Sequence, residues 1–434
     1  MKVLFIILIY IIFYFKNIYY NLFTHKIEKN RNHKIYIIGD YLSGLITAWN
    51  LQKNGFKPII LSPNEKINDP FLTMEMDNSR IPIQNYMWPK EKNEHWRELL
   101  DELDIKKKNI NRSFHIKSNE IEYIHGVNTE TSIKYKYEIS QWLKMVDFCK
   151  TLNKSFNMNG QFNPLNIIQL RYITKIYKCD DPIFIKEIIQ NIYYDYPDIL
   201  SYPISLLEYI NDIIPIDNSK FPEYETFLDI NETEHIISRL TNNIKIIYNC
   251  DFKNIKYKNK DKQWEIKCEK EEFIADNIIY NCNIDTLSKL NNDQWTNKLI
   301  SLFQLDKSKK LYIQKNKDIL IDKNPNYMTY VDNGNRIENL SIWNKDTFII
   351  YDQDKIENNV FIEEEKLNVT YENSILIKLL DKLQGKYGRY YLGKMNLINN
   401  RNDINVQIMN GIKISMMIGC EYPFIRLIDK YKYL

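Results

Sequence analysis

Gly39 and Gly44 close a short apolar run, Ile35-Tyr36-Ile37-Ile38, and Ser43 lies between them. Glycines at this spacing after a buried strand make a tight turn. The backbone N–H groups of such a turn, with the start of the following helix, can hold an anion and above all a phosphate. The middle position of the G-x-G-x-x-G pattern is Tyr41. A glycine there would let the backbone approach a pyrophosphate closely. Further along, Ser62 ends the apolar run Ile59-Ile60-Leu61, where an acidic side chain would hold a ribose hydroxyl. Serine can still hydrogen-bond such a hydroxyl, less strongly than a charged carboxylate.

These residues need a frame, and their neighbours supply one. Ile35 to Ile38 predicts a strand buried on both faces of a parallel sheet. Leu45, Ala48, Trp49 and Leu51 fit a helix packing back on that sheet, and Asn54-Gly55 stops it. Ile59 to Leu61 predicts the second strand, completing a βαβ unit. A βαβ unit that holds no nucleotide has the same pattern, so the context supports the glycine turn without naming its ligand. Two further blocks follow. Glu234 to Cys250 predicts a helix and then a strand. Phe252–Tyr257, Gln263–Cys268 and Glu271–Ala275 predict a small meander, and Asp276 to Cys282 an apolar strand. Near the C-terminus, Gly388 to Gly393 predicts a strand, with Lys394 after it. Asn405 to Ile418 predicts a buried helix containing Gly411.

The three blocks, in this order, resemble the flavin-dependent amine oxidase superfamily, which includes amine oxidases, protoporphyrinogen oxidases and UDP-galactopyranose mutases. The chain is similar to these proteins in its strand–turn–helix–strand start and in the helix, strand and meander before Ala275-Asp276-Asn277-Ile278-Ile279. It is similar also in the spacing from Gly393 to Gly411. The resemblance implies an α/β fold: an FAD-type Rossmann domain with a parallel sheet, a βαβ start and a β-meander, plus an α+β substrate domain. It implies FAD as cofactor, held by Gly39, Tyr41, Ser43, Gly44, Ser62, Gly393, Lys394 and Gly411. Several of these depart from the family's residues, so the site is read as degenerate. Where the family has an acidic residue touching the flavin's ribityl–phosphate region, this chain has Lys394, which could pair with phosphate instead. The double-glycine–arginine turn usual after the second strand is absent between Pro63 and Arg80.

The implied organisation divides the nucleotide-binding domain into residues 33–105, 226–305 and 385–434. A mainly helical substrate-domain segment, 106–225, and a strand-rich one, 306–384, lie between them. Glu94 to Asp104 is an amphipathic helix with Trp96, Leu99, Leu100 and Leu103 on one face. Tyr137–Phe156 and Leu165–Tyr194 predict further helices. Ser341–Trp343 and Thr347–Tyr351 are candidate sheet segments.

The implied activity is that of an FAD-dependent oxidoreductase of amine oxidase type, moving hydride from a small-molecule substrate to the flavin. Two alternatives remain open: a non-catalytic, membrane-tethered protein that keeps the fold, and a flavin-dependent isomerase resembling the mutases. No catalytic residue is identifiable. In this chemistry the flavin reacts and the protein positions, so missing acid–base motifs do not argue against an enzyme.

Bulk properties narrow the choice. The chain has 434 residues, 44% hydrophobic and 26% charged, which suits several packed domains rather than disorder. A net charge of +3 with interspersed signs gives no basic stripe for nucleic acid. The six cysteines form no Cys-x-x-Cys pair, and no His pair has metal spacing, so no metal site is expected. The apolar run Val3–Phe15, within residues 1–24, predicts an N-terminal apolar helix acting as a signal anchor, or else a cleaved signal or organelle presequence. Lys26, Lys29, Arg31 and Lys34 would flank it. A membrane-associated, secretory or organellar location follows as an expectation.

Overall fold

Ile35–Ile38 is fully buried and pairs in parallel with strands on both sides, as its unbroken apolar sequence requires. In this computed structural model the described residues are 31–431, apart from 72, 77–78, 83–86, 91–92, 111, 118–120, 125–127, 158–164, 166–167, 193–197, 208–222, 230, 291–293, 304, 316–326, 333–334, 340–346, 352–359, 368–375, 377–378, 381–382 and 393–403. The parallel sheet has five strands in the spatial order Lys245–Ile247, Ile59–Leu61, Ile35–Ile38, Asn277–Tyr280 and Arg389–Tyr391. Numbered along the chain, that order is 3-2-1-4-5. The connectivity therefore reverses between Ile35–Ile38 and Asn277–Tyr280. In doubly wound sheets such a reversal opens a crevice at the carboxyl ends of the strands, where ligands bind.

One face of the sheet carries the helix Leu42–Lys53, buried from Leu42 to Leu51, and the long helix Ile404–Ile418. Both pack with Ile35, Ile37, Ile60 and Ile279 in one core. The other face carries the meander Phe252–Lys258, Gln263–Cys268 and Glu272–Ala275, with helix Ile284–Leu290 beside it. Alternation along the meander puts Ile255, Trp264 and Ile266 inward and leaves lysines outward. The three blocks read from sequence thus converge on one sheet, with helix Glu232–Leu240 leading into Lys245–Ile247 as expected.

A second sheet of seven strands holds Leu305–Lys315, Tyr327–Asp332, Asn335–Asn339, Thr347–Tyr351 and Val360–Leu367. Arg112–Lys117 and Glu122–Ile124 complete it. Arg112–Lys117 joins it by parallel pairing with Tyr327–Asp332. Helices Lys136–Asn157 and Leu170–Tyr177 form a separate core around Trp142, Met145, Phe184 and Ile188. The single helical stretch expected over 165–194 is broken. Lys178 takes a left-handed conformation (φ +55°), and Asp181 Oδ1 accepts from the N–H groups of Ile183 and Phe184, starting a new helix. Asp181-Pro182 is a helix-start pair, with a capping carboxylate followed by proline in the first turn.

No helix among the described residues is long and apolar enough to cross a membrane, and the run Val3–Phe15 lies outside them. Ser341–Trp343 also lies outside them.

The two helices on the first face come close together at Gly411. A Cβ there would sit 2.5 Å from the Ser43 carbonyl oxygen and 3.0 Å from Ile46 Cβ. Backbone cannot yield as a flexible side chain can. Gly411→Ala is therefore expected to cost about 1–3 kcal/mol through overpacking, read as a lowered midpoint in urea denaturation.

Candidate functional site

The crevice at the sheet's point of reversal is bounded by the turn after Ile38 and the residue after Tyr280. Gly39 opens the turn with φ +101°, and its N–H donates to the Leu61 carbonyl at 2.8 Å. A Cβ at Gly39 would lie 2.2 Å from the Asn281 carbonyl oxygen, so no other residue fits. Tyr41 caps helix Leu42–Lys53 from an extended conformation (φ −67°, ψ 156°) and is half-buried. Ser43 and Gly44 lie in the first turn of the helix and are buried.

Asn281 organises this turn and was not singled out in the sequence. Its side chain is fully buried. Oδ1 accepts from Ser43 Oγ at 2.9 Å, and Nδ2 donates to the Tyr41 carbonyl at 2.9 Å. Its backbone N–H donates to the Ile38 carbonyl at 2.8 Å. The amide fits only because Gly44 has no side chain, since a Cβ there would fall 2.1 Å from Asn281 Nδ2. The first and third glycines of the pattern are therefore held by Asn281.

Ser62 is fully buried at the end of the second strand, and its Oγ donates to Asp40 Oδ2 at 2.7 Å. Asp40 is itself buried. The same carboxylate oxygen also accepts from Asn64 Nδ2 at 3.0 Å and from the Asn68 N–H at 3.2 Å. An acid is thus present at the carboxyl end of the second strand after all, delivered from the neighbouring turn. Asp40 is a second residue the sequence reading passed over. It sits inside the glycine pattern, where an interposed acid has no fixed meaning.

On the meander side of this pair lies a cleft of about 390 Å³, lined by Pro63, Cys250, Asp251, Phe252, Thr286 and Lys289 among others. Its walls are residues just beyond the carboxyl ends of strands Ile59–Leu61 and Lys245–Ile247, plus one face of helix Ile284–Leu290. The Cys250 N–H donates to the Ser62 carbonyl at 2.9 Å, which ties the cleft to the Asp40–Ser62 pair.

On the other side, the long C-terminal helix runs parallel to Leu42–Lys53. Thr47 Oγ1 shares its proton between the carbonyls of Ser43 (2.8 Å) and Gly411 (3.0 Å). Asn50 Nδ2 donates to Ser415 Oγ at 2.7 Å, and the Glu421 N–H donates to Asn54 Oδ1 at 3.0 Å. Contacts that climb together along both chains mean the same direction. Since Gly411 is level with Ser43, the residues from Ile404 to Asn410 extend past the glycine turn, by about 10 Å at 1.5 Å per residue. Two positive helix ends therefore face the same edge of the sheet. Asn405, at the far end, accepts the Trp96 N–H on Oδ1 at 3.2 Å, joining helix Glu94–Glu102 to this edge.

The expected site residues divide accordingly. Gly39, Tyr41, Ser43 and Gly44 form the turn, with Ser62 beside it. Gly411 lies at the crossing of the two helices rather than at a helix start. Gly393 and Lys394 lie outside the described residues. Cys282, next to Asn281, is no nucleophile, because burial pushes its thiol up to about 12. No group of three or more His, Cys, Asp or Glu placed to hold a metal occurs among the described residues.

The cleft, the Asp40–Ser62 pair, the glycine turn and the start of the C-terminal helix follow one another along a single edge. That succession suits an extended dinucleotide such as FAD. It offers an adenine-sized recess, a carboxylate and hydroxyl at the ribose position, N–H groups at the pyrophosphate and a helix end beyond. Tyr41 departs from that fit, adding a side chain where the backbone would approach the phosphates.

No protein-family model and no curated protein sequence matches the chain. Solved structures do, and they share its fold. The conjugated-linoleic-acid-producing fatty acid isomerase from P. acnes superposes with a TM-score of 0.64 at 12% identity, covering 93% of this chain and all of the isomerase. Putrescine oxidase bound to putrescine gives 0.64 at 11% identity over 89% of this chain and 98% of its own. A candidate protoporphyrinogen oxidase from Exiguobacterium gives 0.61 at 13% identity with the same coverage. The chain shares the fold of these three proteins, at identities that leave its sequence widely diverged from theirs.

Asn281→Ala would remove the buried partner of the Ser43 hydroxyl and of the Tyr41 carbonyl. A loss of about 2–4 kcal/mol is expected in urea denaturation, with Asn281→Asp no better, because a carboxylate cannot donate to Tyr41.

Proposed function

We propose that this protein binds FAD along the carboxyl edge of its parallel sheet and acts as a flavin-dependent oxidoreductase of amine oxidase type on a small molecule. The observation that carries the reading is the parallel docking of helices Leu42–Lys53 and Ile404–Ile418. It aims both positive ends at the edge where the Asp40–Ser62 pair and the Cys250 cleft also lie. A phosphate-bearing ligand laid along that edge meets backbone donors at the turn and two positive helix ends.

Bound there, the flavin would supply the chemistry, as acceptor for a hydride from a C–H bond whose carbon becomes doubly bonded to the neighbouring nitrogen or carbon as a proton is lost. The chain's own residues do the rest. The N–H groups of Gly39 and Gly44 donate to the Leu61 and Tyr41 carbonyls, so the turn between these glycines would meet the pyrophosphate through its intervening backbone. Asp40 aims the Ser62 hydroxyl and presents its own carboxylate toward a ribose. Asn281 holds the turn in register with the strands. The start of helix Ile404–Ile418 presents its N–H groups beyond the turn. Gly393 and Lys394 remain proposed contacts.

The competing reading, a protein that keeps the fold without the cofactor, has its own support. The Asp40 carboxylate is already engaged by Ser62, Asn64 and Asn68, and Tyr41 stands where the pattern has glycine. A spectrum separates the two. Purified protein is expected to show flavin absorbance, or to acquire it on titration with FAD. Tyr41→Gly is expected to tighten binding by about tenfold, or 1.4 kcal/mol, by letting the backbone approach the phosphates. A folded, colourless protein that rejects FAD in both forms rules the cofactor out. Turnover that needs reduced flavin without net oxidation would instead identify an isomerase, the activity named for one structural neighbour.

The apolar run Val3–Phe15 supports a membrane tether. The full chain is expected to stay in the membrane pellet after alkaline carbonate extraction, and a chain lacking residues 1–30 to move to the supernatant. Equal partition of the two would exclude the tether.

A further inference from the structure

Cys250 and Cys268 are neighbouring thiols at the start of the meander, and Cys250 lines the cleft beside the Asp40–Ser62 pair. Cys250 lies just before strand Phe252–Lys258, and Cys268 ends the neighbouring strand Gln263–Cys268. Phe252 is the register partner of Cys268, and the Glu269 N–H donates to the Asp251 carbonyl at 2.9 Å. The two thiols are therefore diagonal neighbours across an antiparallel pair, at the irregularity that follows Phe252. The two thiols lie near enough to shift each other's ionisation, and the Cys250 Sγ also donates to the Ile247 carbonyl at 3.3 Å. Cys250 lines the cleft, and Cys268 is half-exposed.

We propose that Cys250 and Cys268 form a peroxide-reactive dithiol, and that an intramolecular disulfide between them fastens the meander to the cleft wall. The reaction is a two-step, two-electron oxidation. The Cys250 thiolate attacks one oxygen of hydrogen peroxide. The O–O bond breaks, hydroxide leaves, and Cys250 becomes a sulfenic acid. The Cys268 sulfur then attacks the Cys250 sulfur, an S–S bond forms, and the S–OH oxygen leaves as water with the Cys268 proton. Hydroxide takes up the proton that Cys250 gave on ionising, so two thiols and one peroxide yield one disulfide and two waters.

Local chemistry makes this pair selective. The Cys268 thiol donates to the Cys250 sulfur and holds the Cys250 thiol below its ordinary range, against burial and the Glu271 charge. Cys268 moves the other way, held up first by that hydrogen bond, then by burial and its coupling to Cys250. One member is thus the nucleophile, and the other keeps the proton that leaves with water. The competitors are disabled. Burial pushes Cys282 to about 12 and, with the Asp180 charge, Cys179 to about 12. Cys149 and Cys420 are buried in apolar cores.

The bond would also reach the candidate site. Cys250 is tied through its N–H to the Ser62 carbonyl, and the Asn249 N–H donates to the Asn64 carbonyl at 3.1 Å. Residue 64 is one of the three donors to Asp40. Any effect on dinucleotide affinity rests on the FAD reading above; disulfide formation does not.

The test is a peptide map of the full chain, reduced, treated with one equivalent of hydrogen peroxide and then alkylated. A Cys250–Cys268 cross-link is expected under non-reducing conditions, with the other four cysteines still reduced. It should be complete before any of those is detectably oxidised, since the thiolate is the reactive form. In Cys268→Ser, Cys250 should stop at the sulfenic acid and be trapped by dimedone. Uniform oxidation of all six cysteines, or a map in which both thiols stay reduced, overturns the proposal. The wild-type map decides even if the variant fails to fold. FAD titration of the oxidised and reduced protein is a separate readout, and its failure with the cross-link present would count against the cofactor and not against the dithiol.

Discussion

A single buried amide sets the geometry on which the rest depends. Asn281 closes the crevice between the first and fourth strands by bonding to the helix start and to the turn at once. Buried as they are, each of those groups would otherwise be an unmet polar atom costing about 1–3 kcal/mol. Its partners lie more than two hundred residues away in sequence, so one side chain joins the first and middle contributions to the sheet. The helix pair adds the third. With Gly411 pressed on Ser43, the C-terminal helix cannot slide or rotate against Leu42–Lys53 without collision. The direction of its positive end is therefore fixed by packing, before any ligand arrives.

The electrostatics of the turn are finely balanced. A helix start favours a nearby anion by about 0.3–1 kcal/mol, and by up to about 2 kcal/mol where partly buried. Asp40 works against it. Two like unit charges about 7 Å apart repel by about 2 kcal/mol at an effective dielectric of about 20, so a carboxylate on this edge would count against any phosphate brought near it. Those contributions are comparable and opposite. The affinity of a dinucleotide laid along this edge, as proposed, would then turn on the Cys250 cleft and the start of the C-terminal helix. Asp40 is nonetheless at home in the fold, because three donors meet its carboxylate. A side chain so well partnered contributes to the folded state whether or not a ribose ever replaces one of those donors.

Much of the sheet was legible because burial on both faces leaves an unmistakable sequence. Ile35–Ile38, Ile59–Leu61 and Asn277–Tyr280 are apolar throughout or nearly so, and the meander alternates as a half-buried sheet must. The helix over 404–418 was legible for the same reason. The polar residues that build the site were not. Asn281 and Asp40 each follow a buried strand, and a polar residue there has the same appearance whether it faces water or seals a crevice. Only the partners decide, and these come from distant segments. The parallel pairing of Arg112–Lys117 with Tyr327–Asp332 escaped for a related reason: both strands are mixed in polarity, and register between strands so far apart leaves no local trace. The break at Asp181-Pro182 is different. Its signal was present, and the apolar periodicity on either side hid it.

Glycine placement separates what the fold requires from what a ligand requires. Gly39 and Gly44 would each drive a Cβ into Asn281, and Gly411 would drive one into Ser43. Those three answer to contacts within the protein, and all three are kept. The position that lacks glycine is 41, where the backbone is ordinary extended chain that any residue adopts. Nothing in the fold calls for glycine there; in the dinucleotide pattern its purpose is the ligand's close approach. A chain can therefore lose that glycine and keep every helix and strand, so the persistence of the fold carries no information about the cofactor. Position 41 is where the requirements of folding and of binding come apart.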